Sequence, residues 1–229
     1  ESKFSVGKQI ILPFLFVNGV SQLNQLILTH LDQDHRGGYE SIKHDFPIKK
    51  VYSNEQVDVE NLSQFDYCRQ GQQWHWSDRV NITVLSPKHE HLAKAKFEKN
   101  EMSCVVYLQV KNVQPYQNFL LMGDAGWETE YHILQAYPDL KVDVLVLGHH
   151  GSRHSSAYHF LKQLKPKLTV ASAGWNNRYG HPSVMVESRL KDLNMPLLTT
   201  IEHGSIRFFK QKNSMSVAFE RDSQRWLKH

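Results

Sequence analysis

Seven short runs of apolar and β-branched residues fix what this chain can become: "QLILTH" (25–30), "KKVYSN" (49–54), "VNITVLS" (80–86), "CVVYLQV" (104–110), "NFLLMGD" (118–124), "VDVLVLG" (142–148) and "LTVASAG" (168–174). Their length and residue types predict β-strands. Most are apolar throughout instead of alternating, as in a sheet covered by helices. The covers are legible too: "WETEYHILQAYP", "SSAYHFLKQLKP" and "SVMVESRLKDLNM" carry apolar residues at helical spacing, and the first two end at proline. After them "PLLTT", "SIRFFK" and "SMSVAFE" predict a short closing meander. No repeat, low-complexity tract or linker interrupts the pattern, so residues 1–229 predict a single α/β domain, with 40% apolar residues to fill its core.

The longest apolar segment, "IILPFLFV", has eight residues with a proline inside, against roughly 20 needed to span a bilayer. The start, "ESKFSVGK", shows no charged region followed by an apolar stretch and a cleavage site, so no signal peptide is read there. The chain itself reads as soluble, with any export signal carried elsewhere. A net charge of +4 and pI near 8.9 favour an anionic partner only mildly. Fourteen histidines, several beside Asp or Gly at the ends of apolar runs, lean toward metal chemistry. The two cysteines have no CxxC spacing. Cys104 reads as a small residue in a buried strand. The alternative is a Cys68–Cys104 disulfide, worth roughly 3–4 kcal/mol through loop closure and implying an oxidising compartment.

Polar residues gather at the C-terminal ends of the strand runs, where layered α/β folds aim loop side chains into one crevice. "THLDQDH" sets His30, Asp32, Asp34 and His35 in one loop, followed by Gly37 and Gly38, which allow a tight approach to the next helix. Residues two apart can point the same way, so one loop could hold two metal ions. "LLMGDA" supplies Asp124, an ordinary turn aspartate if taken alone. "LVLGHHGSRHSS" supplies His149 and His150 before Gly151, and "NNRYGHP" adds Asn176, Asn177, Arg178, Tyr179 and His181. Three clusters in equivalent positions predict one composite site.

The order HxDxDH, then GD, then a strand ending in HHG resembles the metallo-β-lactamase superfamily, whose loop is usually HxHxDH. That resemblance implies an αββα sandwich holding two metals. More narrowly, "QIILPFLFVNGVSQLNQLILTHLDQDHRGG", "CRQGQQWHW", "VLGHHGSRHSS" and "NNRYGHP" resemble the C-terminal domain of the ComEC family of competence proteins, polytopic inner-membrane proteins that carry transforming DNA into bacteria. The resemblance spans nearly the whole chain. It implies a domain of a larger membrane channel protein, facing the periplasm or the cell exterior, and a sandwich lacking the N-terminal hairpin with a "DVGQGD"-like turn, since nothing like it precedes Phe4. His30 and Asp32 would serve one metal, and Asp34 and His35 the other. Asp124 would bridge, with His150 completing the second site and His149 behind the ligands or facing a phosphate; either histidine of the pair fits the pattern.

Two departures matter. Asp32 replaces the usual second histidine, and "NEMSC", with Asn100 and Ser103, stands where many members supply another; His89 and His91 in "SPKHEHL" read as a solvated turn. An oxygen-rich, ligand-poor first site shifts preference from Zn²⁺ toward Mn²⁺ and predicts weak occupancy.

Two carboxylate-bridged metals activate water and clamp both oxygens in phosphodiester hydrolysis. Asp34 would orient the water. Ser152, Arg153 and free N–H groups at the helix starting near Ser155 would bind the phosphate, with Asn177, Arg178 and His181 clamping from the other side; for the latter set a capped turn is the competing reading. Trp74 and Trp76 could stack on bases of a single DNA strand or simply pack a hairpin. The expectation is a metal-dependent nuclease with no small organic cofactor, degrading one DNA strand during uptake. The alternatives are a phosphorylcholine-esterase-like phosphodiesterase and a non-catalytic domain that guides DNA; β-lactam hydrolysis fits least.

Overall fold

The computed structural model describes residues 4–59, 64–92 and 99–223, so the first three residues of "ESKFSVGK" lie outside it. A π-helical turn, Gly7–Ile11, runs into α1 (Leu12–Val17), with Pro13 where one gives way to the other. β1 (Leu26–Leu28) leads through α2 (Gln33–Arg36) and α3 (Tyr39–Asp45) to β2 (Lys50–Ser53) and β3 (Gln64–Tyr67). β4 (Gln73–Ser77) and β5 (Val80–Ser86) form a hairpin, followed by α4 (His89–Leu92), β6 (Val105–Val110) and β7 (Asn118–Leu121). Then α5 (Trp127–Ala136), β8 (Val144–Val146), α6 (Tyr158–Leu164), β9 (Leu168–Ala171), α7 (Val184–Asp192) and β10 (Leu197–Thr199) alternate. The chain continues through α8 (Thr200–His203), β11 (Ile206–Gln211), β12 (Ser214–Phe219) and α9 (Glu220–Ser223).

Seven strands make one sheet in the order β10-β9-β8-β7-β6-β5-β4, parallel from β7 to β10 and antiparallel from β4 to β7. Strands β1, β2 and β3 make a small parallel sheet. One face of the large sheet is covered by α5, α6 and α7, with Ile133, Phe160, Leu161 and Leu190 against Leu120 and Leu145. Its other face is shared. Phe119, Val144 and Val170 meet Met215 and Phe208 of the β11–β12 hairpin, while Val84 and Cys104 meet Tyr52 and Cys68 of the small sheet's side. Beyond the small sheet, Leu28 and Val51 are covered by Leu12 and Leu15 of α1 and Tyr39 and Ile42 of α3. The layers therefore run helix, sheet, sheet, helix, because each strand presents apolar side chains to both faces and each face needs a cover. This is the αββα sandwich.

The predicted closing meander is corrected: β10 lies parallel to β9 at the edge of the large sheet, and only β11 and β12 form a hairpin. Helix α7 separates β9 from β10, and that crossover imposes the parallel direction. The free-cysteine reading is corrected too, since Cys68 and Cys104 form a disulfide with both residues fully buried. Trp74 packs its ring edge against Tyr52 and donates from Nε1 to the Tyr52 hydroxyl at 3.1 Å, while the exposed Trp76 donates to Gln25 Oε1 at 2.9 Å. Gly38 serves a close approach: a Cβ on Gly7 would stand 2.2 Å from the Gly38 carbonyl oxygen, so two glycine backbones set the N-terminal helical turn on the start of α3.

Candidate metal centre

The two sheets meet where β1 ends. The Cys104 amide donates to Thr29 O at 2.8 Å, which brings the Thr29–His35 loop over the ends of β6 and β7. Gly123 makes this possible: its φ is +57°, and a Cβ there would lie 2.9 Å from Thr29 Cβ and 3.0 Å from Ser103 Cβ. Asp124 follows, its amide donating to Ser103 Oγ at 3.1 Å. From β8 the chain turns sharply, with His149 at φ 47°, ψ 48° and His150 at φ 56°, ψ 18°. Two consecutive non-glycine residues in the left-handed region are costly, at about 1–3 kcal/mol each, and persist only where the surroundings over-determine them. The surroundings are the His149 amide on Gly123 O at 2.9 Å, the Ser152 amide on His149 O at 2.8 Å, and Ser155 Oγ on Gly148 O at 2.6 Å.

Asp34, His35, Asp124 and His150 each offer a ligand atom, all within 4.8 Å of one another. His35 Nε2 is 3.0 Å from Asp124 Oδ1 and 3.3 Å from His150 Nε2, and His150 Nε2 is 3.1 Å from Asp34 Oδ2. Two ligands each ~2.1 Å from one cation lie roughly 3.0–3.4 Å apart in tetrahedral or octahedral geometry; these three spacings suit a shared ion, while His150 Nε2 to Asp124 Oδ1 at 3.7 Å and His35 Nε2 to Asp34 Oδ2 at 3.9 Å are wider. Hydrogen bonds account for two of them, His35 with His150 and His150 with Asp34, but not for the third. Asp124 Oδ1 is buried and has no hydrogen-bond donor: His35 approaches it off the hydrogen-bond angle, so the contact is electrostatic. The Nδ1–H of His150 donates to the Ser172 carbonyl at 2.7 Å, which aims Nε2 at the Asp34 carboxylate 3.1 Å away. A buried carboxylate oxygen without a donor, beside two imidazole nitrogens and a second carboxylate, is a donor set that fits a cation.

The other side of Asp124 is wider. His30 Nε2, buried and without a hydrogen-bond partner, is 3.6 Å from Asp124 Oδ2 and 3.8 Å from Asp32 Oδ2; His149 Nε2 is 3.7 Å from the same Asp124 oxygen. Asn100 Nδ2 donates to His149 Nδ1 at 3.4 Å, which leaves the proton of a neutral His149 on Nε2. Electrostatics agree with a site that wants positive charge. Burial opposes the ionised forms throughout, yet the contact with His35 and the charges of His35, His150 and His30 hold Asp124 below the usual carboxylate range. Burial would lower His35, but Asp124, Asp34 and Asp32 raise it above an ordinary histidine. His30 is lowered, by burial first and then by the neighbouring His35.

Thr29 was no sequence candidate, although it immediately precedes His30. Its Oγ1 lies 3.3 Å from His30 Nδ1 and 3.1 Å from His35 Nδ1. By accepting from both rings it would turn both Nε2 lone pairs inward. His181 stands beside the cluster, its ring 5.6 Å from that of His149 and 6.3 Å from that of His150. Burial, then His149 and His150, keep it below the ordinary histidine value. Arg178 is exposed and lies on the Tyr179 ring.

Two sequence expectations change. The amides of Ser156 and Ala157 at the start of α6 are not free, because the buried Glu130 carboxylate accepts from both. Ser152 is buried with its Oγ accepting from the His154 amide, and Arg153 is exposed with Nε donating to His154. Asn177 closes its own loop: Nδ2 donates to the Gly174 and His181 carbonyls and Oδ1 accepts from the His181 amide. The carboxamide is fully engaged, so the capped-turn reading describes it. His89 and His91 lie on α4, where His91 faces Glu90 and His132, outside the cluster.

No family model matches the chain. In an alignment that covers 95% of its length it is 33% identical to ComE operon protein 3 of Bacillus subtilis, and in one that covers 86% it is 32% identical to Competence protein ComA of Neisseria gonorrhoeae. The chain is ComEC-like. It spans 28% and 27% of those two relatives. The solved structure of Zn²⁺-bound PqqB from Methylobacterium extorquens overlays with a TM-score of 0.48 at 9% identity, covering 77% of this chain and 71% of that one, a partial likeness on which no site assignment rests. In this ComEC-like chain Asp32 and Asn100 stand on the wide side of Asp124, Asp32 3.8 Å from His30 Nε2 and Asn100 3.4 Å from His149 Nδ1. No helix among the described residues is long and apolar enough to cross a membrane.

Proposed function

We propose that residues 1–229 form one domain of a longer, membrane-embedded DNA-uptake protein, facing the periplasm or cell exterior, and that this domain hydrolyses phosphodiester bonds in DNA, degrading the strand that is not carried inward. The observation that carries the reading is the set of ligand atoms from Asp34, His35, Asp124 and His150 drawn to within 4.8 Å of one another around a buried Asp124 oxygen that has no hydrogen-bond donor.

Asp34, His35, Asp124 and His150 would hold one divalent cation, and His30, Asp32 and the second oxygen of Asp124 another, Mn²⁺ or Zn²⁺, the wider position holding its ion more weakly. Bound there, such ions acidify a water and polarise a phosphoryl oxygen. The chain's own residues do the rest. Asp34, with a side chain 62% exposed, orients the attacking water and accepts its proton. His149, with its proton on Nε2, and His181 face the phosphate as donors. Arg153 and Arg178 supply exposed positive charge, while Ser152 and Asn177 hold the loops that carry these groups. The disulfide suits an oxidising location outside the cytoplasm.

The test is digestion of single-stranded DNA in Mn²⁺, with and without chelator, by the wild type and Asp34→Asn. Loss of activity in chelator and in the variant is expected; equal digestion by the variant overturns the assignment. One observation favours a second reading, a domain that guides DNA without cutting it: the 3.6–3.8 Å spacings around Asp124 Oδ2 are wide for a bound ion. DNA binding with no hydrolysis in any divalent metal would select that reading.

A further inference from the structure

Two large aromatic side chains stand out of the loop beside the cluster. Trp175 is 76% exposed and Tyr179 66% exposed. A soluble surface has little reason to hold such residues rigidly in water, yet this loop is rigid. The Asn177 carboxamide makes three hydrogen bonds across it, to Gly174, to His181 and from His181. It is also locked to the histidine turn, since the Ser183 amide donates to Gly151 O at 2.9 Å and a Cβ on Gly151 would meet Pro182 Cβ at 2.8 Å. The aromatic platform therefore keeps a fixed place relative to His150.

That place is informative. The Tyr179 ring stacks on His181, centroids 5.7 Å apart and planes within 19°, and His181 stacks in turn on His150 at 6.3 Å and 26°. The Arg178 guanidinium lies 4.6 Å from the Tyr179 centroid and donates to its hydroxyl. A column of flat groups thus leads from the ion-binding cluster to the surface, ending in a cation on an aromatic ring, with a free indole on the same loop.

We propose that Trp175 and the Arg178–Tyr179 pair form a base-stacking platform for a nucleotide next to the phosphate held at the cluster, which makes the substrate a single strand. The inference rests on reading the cluster as a phosphodiester site. The physical reason is that a duplex keeps its base faces stacked and closed, whereas an unpaired base offers a face to an aromatic side chain. The positive charge of Arg178 beside the platform suits the adjacent backbone phosphate. Sequence selectivity is not expected, because every base has a face to stack.

The experiment separates base stacking from backbone contact. Asp34→Asn protein is titrated by fluorescence anisotropy with a labelled twelve-residue oligodeoxythymidylate and with an abasic strand of the same length. The thymidylate strand should bind roughly five- to hundredfold tighter. Combining Trp175→Ala with Tyr179→Ala should abolish that preference with no change in melting temperature, and Trp175→Phe with Tyr179→Phe should restore most of it. Equal affinity for the two strands, or a preference that survives the double alanine change, overturns the proposal; equal affinity is also what a protein-docking role for this patch would give. Hydrolysis is measured separately on wild type. A stacking preference without hydrolysis leaves the platform standing and removes the nuclease reading, and hydrolysis without the preference does the reverse.

Discussion

Glu130 is a buried carboxyl outside the cluster that fastens one of its loops. It lies on α5, 1% exposed, and its carboxylate accepts from the amides of Ser156 and Ala157, closing the far end of the turn that carries His149 and His150. Arg189 donates to the carbonyls of Ser155 and Ser156 from the other side. Burial pushes Glu130 up from 4.5 to about 7 despite the two amide donors. A carboxyl raised in the fold binds its proton more tightly folded than unfolded. Its contribution to stability is therefore fully present below pH 4.5 and is lost as pH rises through about 7. Evaluating that proton linkage between pH 5 and pH 8.5 gives about 2–3 kcal/mol. Glu130→Gln abolishes this dependence and substitutes a different cost. The amide oxygen can serve one of the two N–H groups, and the other is left facing an NH₂, at about 1–3 kcal/mol. The variant should thus be clearly less stable than wild type at pH 5, and equal or slightly more stable at pH 8.5. Urea unfolding of both proteins in chelator across that range gives the answer, and the histidines, common to both, cancel in the difference. A difference between the two proteins that stays flat with pH would refute the account of Glu130.

Removing the Cys68–Cys104 disulfide by double alanine substitution opens a cross-link between residues 36 apart in sequence, which the chain-entropy relation values at about 4 kcal/mol; thermal unfolding should show the loss, and an unchanged melting temperature would contradict it. Thr29→Val keeps the shape but removes the hydroxyl shared by His30 and His35, so metal affinity by calorimetry should fall about 10–100-fold with the fold intact. Gly123→Ala, with φ at +57° and Thr29 Cβ 2.9 Å away, should cost about 1–3 kcal/mol and weaken metal binding as well, because it pushes the Thr29–His35 loop off Asp124.

The strand frame was legible because uniform apolar runs admit few other structures: β5 falls at 80–86 as the residues predict, and β6 lacks only its first predicted residue. The gathering of the Thr29–His35 loop with Asp124 and His150 was legible because each of these segments follows a strand on the same side of the sheets. What escaped depends on contacts that span the chain. Cys68 and Cys104 carry no local pairing signal, and only the meeting of the two sheets brings them together. Glu130 occupies a buried position of an amphipathic helix, and its purpose appears only once the Ser156 and Ala157 amides point at it. Asn177 has the composition of a phosphate clamp and the geometry of a turn cap, since the same carboxamide chemistry serves both. The segment "IILPFLFV" reads as an apolar run, and its helix is fixed by contact with α3 and the small sheet.

On the proposed reading Asp124 would help hold two ions, one tightly with Asp34, His35 and His150 and one more weakly with His30 and Asp32. The most direct measurement is the Mn²⁺ binding stoichiometry of chelator-treated protein, followed by electron paramagnetic resonance of the free ion. Wild type should bind two ions per chain with unequal affinity, His150→Ala should lose the tighter one, and Asp124→Asn should lose both. Binding that is absent in wild type, or that survives intact in Asp124→Asn, would contradict the account.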